Sequence, residues 1–540
     1  MKRTILLLLI ASVLLLTACG GQENAGTTTQ PTGGVTTEPT EGVTTVTTTD
    51  RQTTDGQPTV EGIPLSQCTV HAADVGSYDY LVAEELRAHL KEEQGISLSY
   101  GGNKRGLILR IDTNAALPAN TCRVRTEDRT VWIEGNDRVG ALAAVELFCN
   151  TVDAGSAAFG RGVTAAVHSA DNLLYCLTDQ RSLSVVFAGD SVCAGAGVDD
   201  KSTTYAARTS AWLRQTYPDA EIHWVNVGVG GTDTEYGLYH MAEYISRYAP
   251  DVVFLEYGSN DAACERTNEE TLANYEGMIE QLRQANPRIT VFLLPSLRRN
   301  STVTVLDQNR GQSIGFREAM YAVARHYDGV YLLDWGWHFA HTIRAEEQSW
   351  NALTGNSDGT HPNAEGYRII TDYLTDTIAA MLDVSEAVTA DYAMPDARLS
   401  PYSKRDVTAL PLDGMQFDAE WGKDGGYMTT DTVGATASYR FTGSGVGVYW
   451  NIRGDGGDLS YLIENQDGET VAEGTVSACN SLTLNGYPTG RTMYRNFAQG
   501  LPYGDYTLYL QVAPTQYSYG EKQSSGHRIR LVSLLLNESR

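Results

Sequence analysis

A serine that follows an apolar run, and a histidine with an aspartate three residues before it, are the side chains of this chain best suited to nucleophilic chemistry. The run "LSVVFAGD" ends at Asp190, and Ser191, Val192, Cys193, Ala194 and Gly195 come next. Among such small residues, at the end of a parallel strand, a serine oxygen meets little obstruction. On its own, Gly189-Asp190-Ser191 is a weak signal that more often marks a turn or a helix cap. The second stretch, "NSDGTHPNAEGY" from Asn356 to Tyr367, sets Asp358 and His361 in a loop of turn formers before a helical pattern. A serine hydroxyl is a poor nucleophile at neutral pH and needs a base to take its proton. Histidine suits that role because its ordinary pKa lies near working pH. An acid at Asp358 can reach the far ring nitrogen, fix the tautomer and stabilise the imidazolium. His338 and His341 are the nearest rivals of His361, and neither has an acid at the matching offset.

The elements that must position these residues are legible from about 183 to 385. Strand-like runs "LSVVFAGD", "IHWVNVG", "DVVFLEYG", "ITVFLLP" and "GVYLLDW" alternate with helical patterns, the last helix starting near Ala364. Short, nearly continuous apolar strands between amphipathic helices predict a parallel sheet covered on both faces. Ligands of such sheets bind beyond the carboxyl ends of the strands. Two further motifs lie at such ends: "NVGVGGT", Asn226 to Thr232, and "GSND", Gly258 to Asp261. Glycines in the first let backbone N–H groups approach a ligand, and Asn260 in the second brings a side-chain amide.

Taken in order, these four segments resemble the blocks of the SGNH (GDSL) hydrolase family, named for its Ser, Gly, Asn and His. The resemblance covers a little over a third of the chain. It implies a three-layer, flavodoxin-like α/β fold and a serine esterase in which Ser191 is the nucleophile, His361 the base and Asp358 its orienter. The oxyanion donors it implies are the Ser191 backbone N–H, the Gly231 N–H and the Asn260 amide; adjacent Gly230 is left open as an alternative to Gly231. Val192 departs from the leucine frequent in the family, at a packing position. The mechanism implies no metal and no organic cofactor, and no ligand spacing or phosphate-cradling loop is present.

Blander roles compete for several of these residues. Asn260 and Asp261 suit a cap on the helix that follows, and Asp190 suits bonds to loop N–H groups. Trp335, Trp337 and Trp350 would form a sugar-binding wall if exposed and ordinary packing if not. Cys193 and Cys264 are expected on the pocket floor.

Outside the central segment the texture changes. Residues 1–19 have a basic head, Lys2 and Arg3, an apolar run and the close Leu16-Thr17-Ala18-Cys19. This is the form of a signal peptide. It resembles the lipobox of bacterial lipoproteins, which implies diacylation of Cys19 and anchoring outside a membrane. Residues 20–60 are rich in Thr, Gly, Pro and Gln, a composition for a flexible tether. From 61 to 170, two helical patterns and strands "GLILRID" and "TVWIEG" predict a small α+β domain. That domain resembles the accessory domain of hexosaminidases and α-glucuronidases, and a docking or spacer role is expected. From 410 to 540, alternating strands with glycine turns, among them Asp467-Gly468, predict a jelly-roll-like antiparallel β-sandwich. Tyr427, Trp450, Tyr494 and Tyr503 are its candidate sugar-stacking aromatics, with a purely structural role as the alternative.

The chain has 540 residues and a formal charge of −26, which argues against nucleic acid or anionic lipid surfaces as partners. Beyond Cys19, seven scattered cysteines show no CxxC spacing, so neither a zinc site nor a disulfide framework can be read, though one or two bridges fit an exterior location. Three residues for acyl transfer do not name the acyl group. The surroundings resemble bacterial carbohydrate esterases, so removal of O-acetyl groups from an oligo- or polysaccharide is the leading expectation. A lipase, lysophospholipase or thioesterase is the alternative on the same residues, and a glycan-binding protein with an inactive hydrolase domain is the alternative outside enzymes.

Overall fold

The computed structural model describes residues 58–73, 77–101, 106–261, 264, 266–296, 312–345, 350–355, 360–485 and 491–540. Cys19, nearly all of the tether and Asp358 lie outside the described residues. The N-terminal part pairs β1 (Thr69–His71), β2 (Ile108–Asp112), β3 (Thr121–Glu127), β4 (Thr130–Gly135) and β5 (Val163–Ala166) in the order β1-β2-β4-β3-β5. Helices α1 (Tyr78–Gln94) and α2 (Arg138–Asp153) start where the sequence supplies caps: Ser77 accepts from Tyr80 N, and Asp137 from Gly140 N. Gly95, at φ +66°, closes α1 in the left-handed conformation that favours glycine.

This part docks through buried ion pairs and hydrogen bonds. Arg138 makes a bidentate pair with Glu318 at 2.6 and 2.8 Å. The Tyr78 hydroxyl accepts from Arg317, and Tyr373 donates to Asp137. Its partners lie on α6 (Gln312–His326) and α8 (Ala364–Leu382) of the central part.

In the central part five strands are all parallel: β6 (Ser182–Gly189), β7 (Glu221–Asn226), β8 (Val252–Glu256), β9 (Thr290–Leu293) and β10 (Val330–Leu332), ordered β10-β9-β8-β6-β7. The order reverses between β6 and β8, and a ligand is expected outside the carboxyl ends of the strands at that switch point. Register places Phe187, Phe254 and Phe292 side by side, with ring centroids 4.6 and 4.9 Å apart. Helices α3 (Tyr205–Thr216), α4 (Thr234–Tyr248), α5 (Asn268–Ala285), α6, α7 (Trp335–Ala345) and α8 alternate with these strands or follow them.

The C-terminal part is an antiparallel sandwich. One sheet orders β13 (Gly422–Asp424), β14 (Tyr427–Thr430), β21 (Ile529–Asn537), β16 (Gly445–Ile452) and β19 (Arg491–Ala498), with β11 (Val407–Leu410) also on β21. The other orders β12 (Gln416–Phe417), β15 (Thr436–Gly443), β20 (Gly504–Val512), β17 (Asp458–Asn465) and β18 (Thr470–Ser477). Between them lie Val446, Val448, Trp450, Leu459, Leu508, Leu510 and Leu531.

Burial decides between the alternatives that the sequence leaves open for several aromatic residues, and one expectation, the place of Cys264, is corrected. Trp450 and Tyr494 are buried, so neither offers a face to a sugar: Trp450 points into the sandwich core, whereas Tyr494 packs against Tyr236, Tyr239 and His240 of α4, and neither the phase of a strand nor what covers its outer face is local information. Trp335 and Trp337 are also buried, the latter beside Tyr78 and His341, and the Trp350 side chain lies outside what is described. Cys264 packs with the sandwich core rather than beneath the serine. The seven described cysteines are all free thiols, so no bridge staples this part of the chain.

Candidate active site

Ser191 follows β6 directly, and the loop it sits on is pinned from below. Asp190, wholly buried, accepts from Val192 N at 3.0 Å through one oxygen and from Ser259 Oγ and Asn260 Nδ2 (3.1 Å) through the other. Glu256, the last residue of β8 and equally buried, accepts from Cys193 N at 2.9 Å. Burial, and then the adjacent Asp190 carboxylate, push the Glu256 carboxyl well above the usual range. Two carboxyl groups in one dry interior each disfavour the charged form of the other. Burial also holds the Cys193 thiol well above its ordinary value, so it is no competing nucleophile.

The histidine arrives from 170 positions further along the chain, on a segment paired with residues 353–355. Gly355 N donates to His361 O at 2.7 Å and Asn363 N to Leu353 O at 3.0 Å, and Thr354 bridges Pro362. Asn363 then caps α8, accepting from Glu365 N and Gly366 N. The paired segments lie against the serine loop at two glycines. A Cβ on Gly197, whose φ is +95°, would stand 2.3 Å from Pro362 O, and one on Gly355 would stand 2.2 Å from Gly197 O. Tyr367 on α8 reaches back, its hydroxyl 2.8 Å from Val192 O and 3.0 Å from Ala196 O.

The outcome is that His361 Nε2 lies 2.9 Å from Ser191 Oγ, within the reach a general base needs. Both residues are half-buried. His338 is elsewhere, stacked on Tyr373, and burial lowers its pKa to about 4. Burial, then His341, makes it a neutral packing residue.

The Ser191 N–H has no hydrogen-bond partner among the described residues. Gly230 lies beside Ser191, since a Cβ there would stand 3.7 Å from Ser191 Cβ, whereas Gly231 holds φ +81°. Space therefore leaves room for a side chain at 230, while backbone conformation favours glycine at 231. Asn260 joins the two neighbouring loops: besides Asp190, its amide donates to Thr232 O at 2.9 Å. Asp261 does not cap the helix that follows it, which Thr267 caps with Glu270 in a capping box. It bonds instead to Thr234 N at the start of α4. Among the described residues no group of three or more His, Cys, Asp or Glu side chains is placed to hold a metal. Tyr367, Gly197 and Gly355 had no sequence signal beyond proximity to the motifs.

Residues 187–369 match the model of the GDSL-like Lipase/Acylhydrolase family, a span that includes Ser191, Gly231, Asn260 and His361. Among solved structures, a two-domain esterase (CEX) active on acetylated mannans is 16% identical, with a TM-score of 0.53 over 68% of this chain and 96% of that one. The same esterase co-crystallised with mannopentaose matches at 16% identity and TM-score 0.53 over 69% and 96%. An acetyl xylan esterase from Geobacillus stearothermophilus is 17% identical, with a TM-score of 0.29 over 37% of this chain and 96% of that one. No curated protein matches the chain.

Proposed function

We propose that the GDSL-like ester-hydrolase domain of this chain removes short acyl groups, acetyl foremost, from an oligo- or polysaccharide through an acyl-enzyme on Ser191. The observation that carries the reading is the 2.9 Å contact between Ser191 Oγ and His361 Nε2. As Oγ bonds to the ester carbonyl carbon, its proton passes to Nε2 and the carbonyl oxygen becomes an oxyanion. The Ser191 N–H, a glycine N–H at 230 or 231, and the Asn260 amide, which must release the Thr232 carbonyl to turn one N–H to the oxyanion, are its proposed donors, each such donor typically contributing about 2.7–4 kcal/mol to turnover. Collapse breaks the bond to the sugar oxygen, which takes the proton from Nε2. Water then attacks the acyl-serine, gives its proton to His361, and the acid leaves as Ser191 recovers its own. Asp358 is proposed to orient the imidazole; its spacing from His361 supports this role.

The saccharide part of the reading is supported by what the structurally similar esterase acts on, acetylated mannans. Lipidation at Cys19 and an exterior location are proposed on the lipobox-like residues alone. The test is acetate release from acetylated mannan and acetylated xylan, with p-nitrophenyl esters of increasing chain length alongside, wild type against Ser191→Ala. Acetate release that Ser191→Ala abolishes is the expected result. Preference for acyl chains beyond about eight carbons would move the reading to a lipase or thioesterase, and glycan binding with no ester cleavage would move it outside enzymes. Palmitate labelling, lost in Cys19→Ser, tests the anchor.

A further inference from the structure

The two loops on the oxyanion side of Ser191 do not end in solvent. The glycine loop runs into Asp233, the N-cap of α4, which accepts from Tyr236 N at 3.0 Å. The Asn260 loop runs into Asp261, which accepts from Thr234 N at 3.2 Å, from the Thr234 hydroxyl and from the Thr271 hydroxyl at 2.9 Å. Both carboxylates are almost completely buried. Glu235, on the first turn of α4, is buried as well. Three acidic side chains in one dry region require cations or protons; burial and then Asp233 raise the Asp261 carboxyl above its ordinary range.

Two buried cations answer them, and both tie the region to the sandwich. Arg266 donates through Nε to Asp233 at 3.0 Å, and a second guanidinium nitrogen donates to the Tyr494 carbonyl on β19. Its own backbone N–H bonds Asp261 O at 2.9 Å. Lys404, in the segment leading into β11, bonds both Glu235 oxygens at 2.7 Å and Asn274 Oδ1 at 2.6 Å. Asn496 of β19 adds a bond to Glu235 at 3.1 Å. The Tyr494 ring lies beside Tyr236, Tyr239 and His240 of α4, at centroid distances of 5.9, 5.4 and 6.1 Å.

We propose that Arg266 is a positioning residue for the oxyanion-binding side of the site, and that the C-terminal sandwich is a structural part of the catalytic centre through it. The inference rests on the acyl-transfer reading above. Asp233 is two residues from Gly231 and adjacent to Thr234, whose N–H and hydroxyl both donate to Asp261 beside Asn260, so a displaced guanidinium moves the glycine loop directly and the Asn260 loop through Thr234. Misplacement of such groups by about 1 Å is enough to cost roughly a hundredfold in rate. Ser191, Tyr367 and His361 belong to a different set of contacts and keep theirs. The sandwich therefore acts by holding geometry from behind, independently of any sugar it contacts.

The test uses the full chain with Arg266→Lys, which keeps the charge but cannot span Asp233 and the Tyr494 carbonyl together, and with Asp233→Asn, which keeps the N-cap acceptor and removes the ion partner. Hydrogen–deuterium exchange is read in peptides covering 226–236 and 256–261, and kcat, KM and the pH profile are read with p-nitrophenyl acetate. Expected are faster exchange in both peptides, kcat lower by ten- to a hundredfold, KM within about threefold of wild type, and an unmoved acid limb of the pH profile. Unchanged exchange in both peptides overturns the inference, as does a melting point that falls while kcat stays at the wild-type value. If the wild type cleaves no ester, the functional reading fails by that result, and the exchange measurement still decides whether Arg266 holds the two loops.

Discussion

The Asn260 side-chain nitrogen lies between two acceptors, 3.1 Å from the Asp190 carboxylate and 2.9 Å from the Thr232 carbonyl. One amide thus links the serine loop to the glycine loop, and it does so beside a buried carboxyl group. Replacing it changes geometry and charge separately, depending on the substitution.

Asn260→Ala is expected to lower kcat roughly a hundredfold or more, the cost of losing one oxyanion donor being about 2.7–4 kcal/mol. Asn260→Asp conserves shape but sets a second carboxylate against Asp190, where like charges in a dry site are unfavourable. It is expected to be no more active than the alanine variant. Steady-state kinetics on p-nitrophenyl acetate check this, and wild-type turnover in the aspartate variant would remove Asn260 from the site.

Gly197→Ala tests the seat of the histidine segment. A side chain at φ +95° with a carbonyl 2.3 Å away forces that segment from the serine loop, in addition to about 1–2 kcal/mol of backbone strain. Turnover is expected to fall at least tenfold with far-UV circular dichroism unchanged. Retention of full activity would mean that the segment adapts without moving His361.

Tyr367→Phe removes a buried hydroxyl shared by Val192 O and Ala196 O. Leaving buried acceptors without a donor costs about 1–3 kcal/mol. Urea denaturation is expected to show a loss in that range, accompanied by a several-fold fall in kcat because both carbonyls lie in the serine loop. A stability equal to wild type would show that water replaces the hydroxyl.

His338 is expected to contribute to acid sensitivity. Burial, then the neighbouring His341, lowers its folded pKa from 6.5 to about 4, so the unfolded chain binds its proton first. Stability is fully present above about pH 6.5 and is lost as the pH falls towards 4, by something on the order of 2–3 kcal/mol. His338→Gln should flatten the dependence of the urea midpoint on pH across that window. An identical slope in the two proteins would assign the acid sensitivity to other groups.

Much of this site was legible before any coordinates. Ser191, Asn260 and His361 stand at strand ends or helix starts, and such places are marked locally by apolar runs, glycines and capping residues. The parallel sheet and the two flanking domain types follow from the same short-range chemistry. The partnership of Asp261 did not, because its carboxylate takes the N–H and hydroxyl of Thr234 on α4, in a different stretch of chain, as well as the Thr271 hydroxyl within the helix after it, and caps neither end of that helix. Nor did the fate of Trp335, Trp337, Trp450 and Tyr494, whose aromatic rings suit a sugar face and a core equally well.

The sequence by itself determined which residues could attack, accept a proton and donate to an oxyanion, because those abilities belong to side-chain types and to short motifs. Tertiary structure alone decided that His361 meets Ser191 across 170 positions, that two glycines let their loops touch, and that a sandwich carbonyl holds Arg266. Those are matters of distance between segments remote in the chain. Distance is set by how whole layers pack and by which charges must be matched once water is excluded, and no local pattern encodes it.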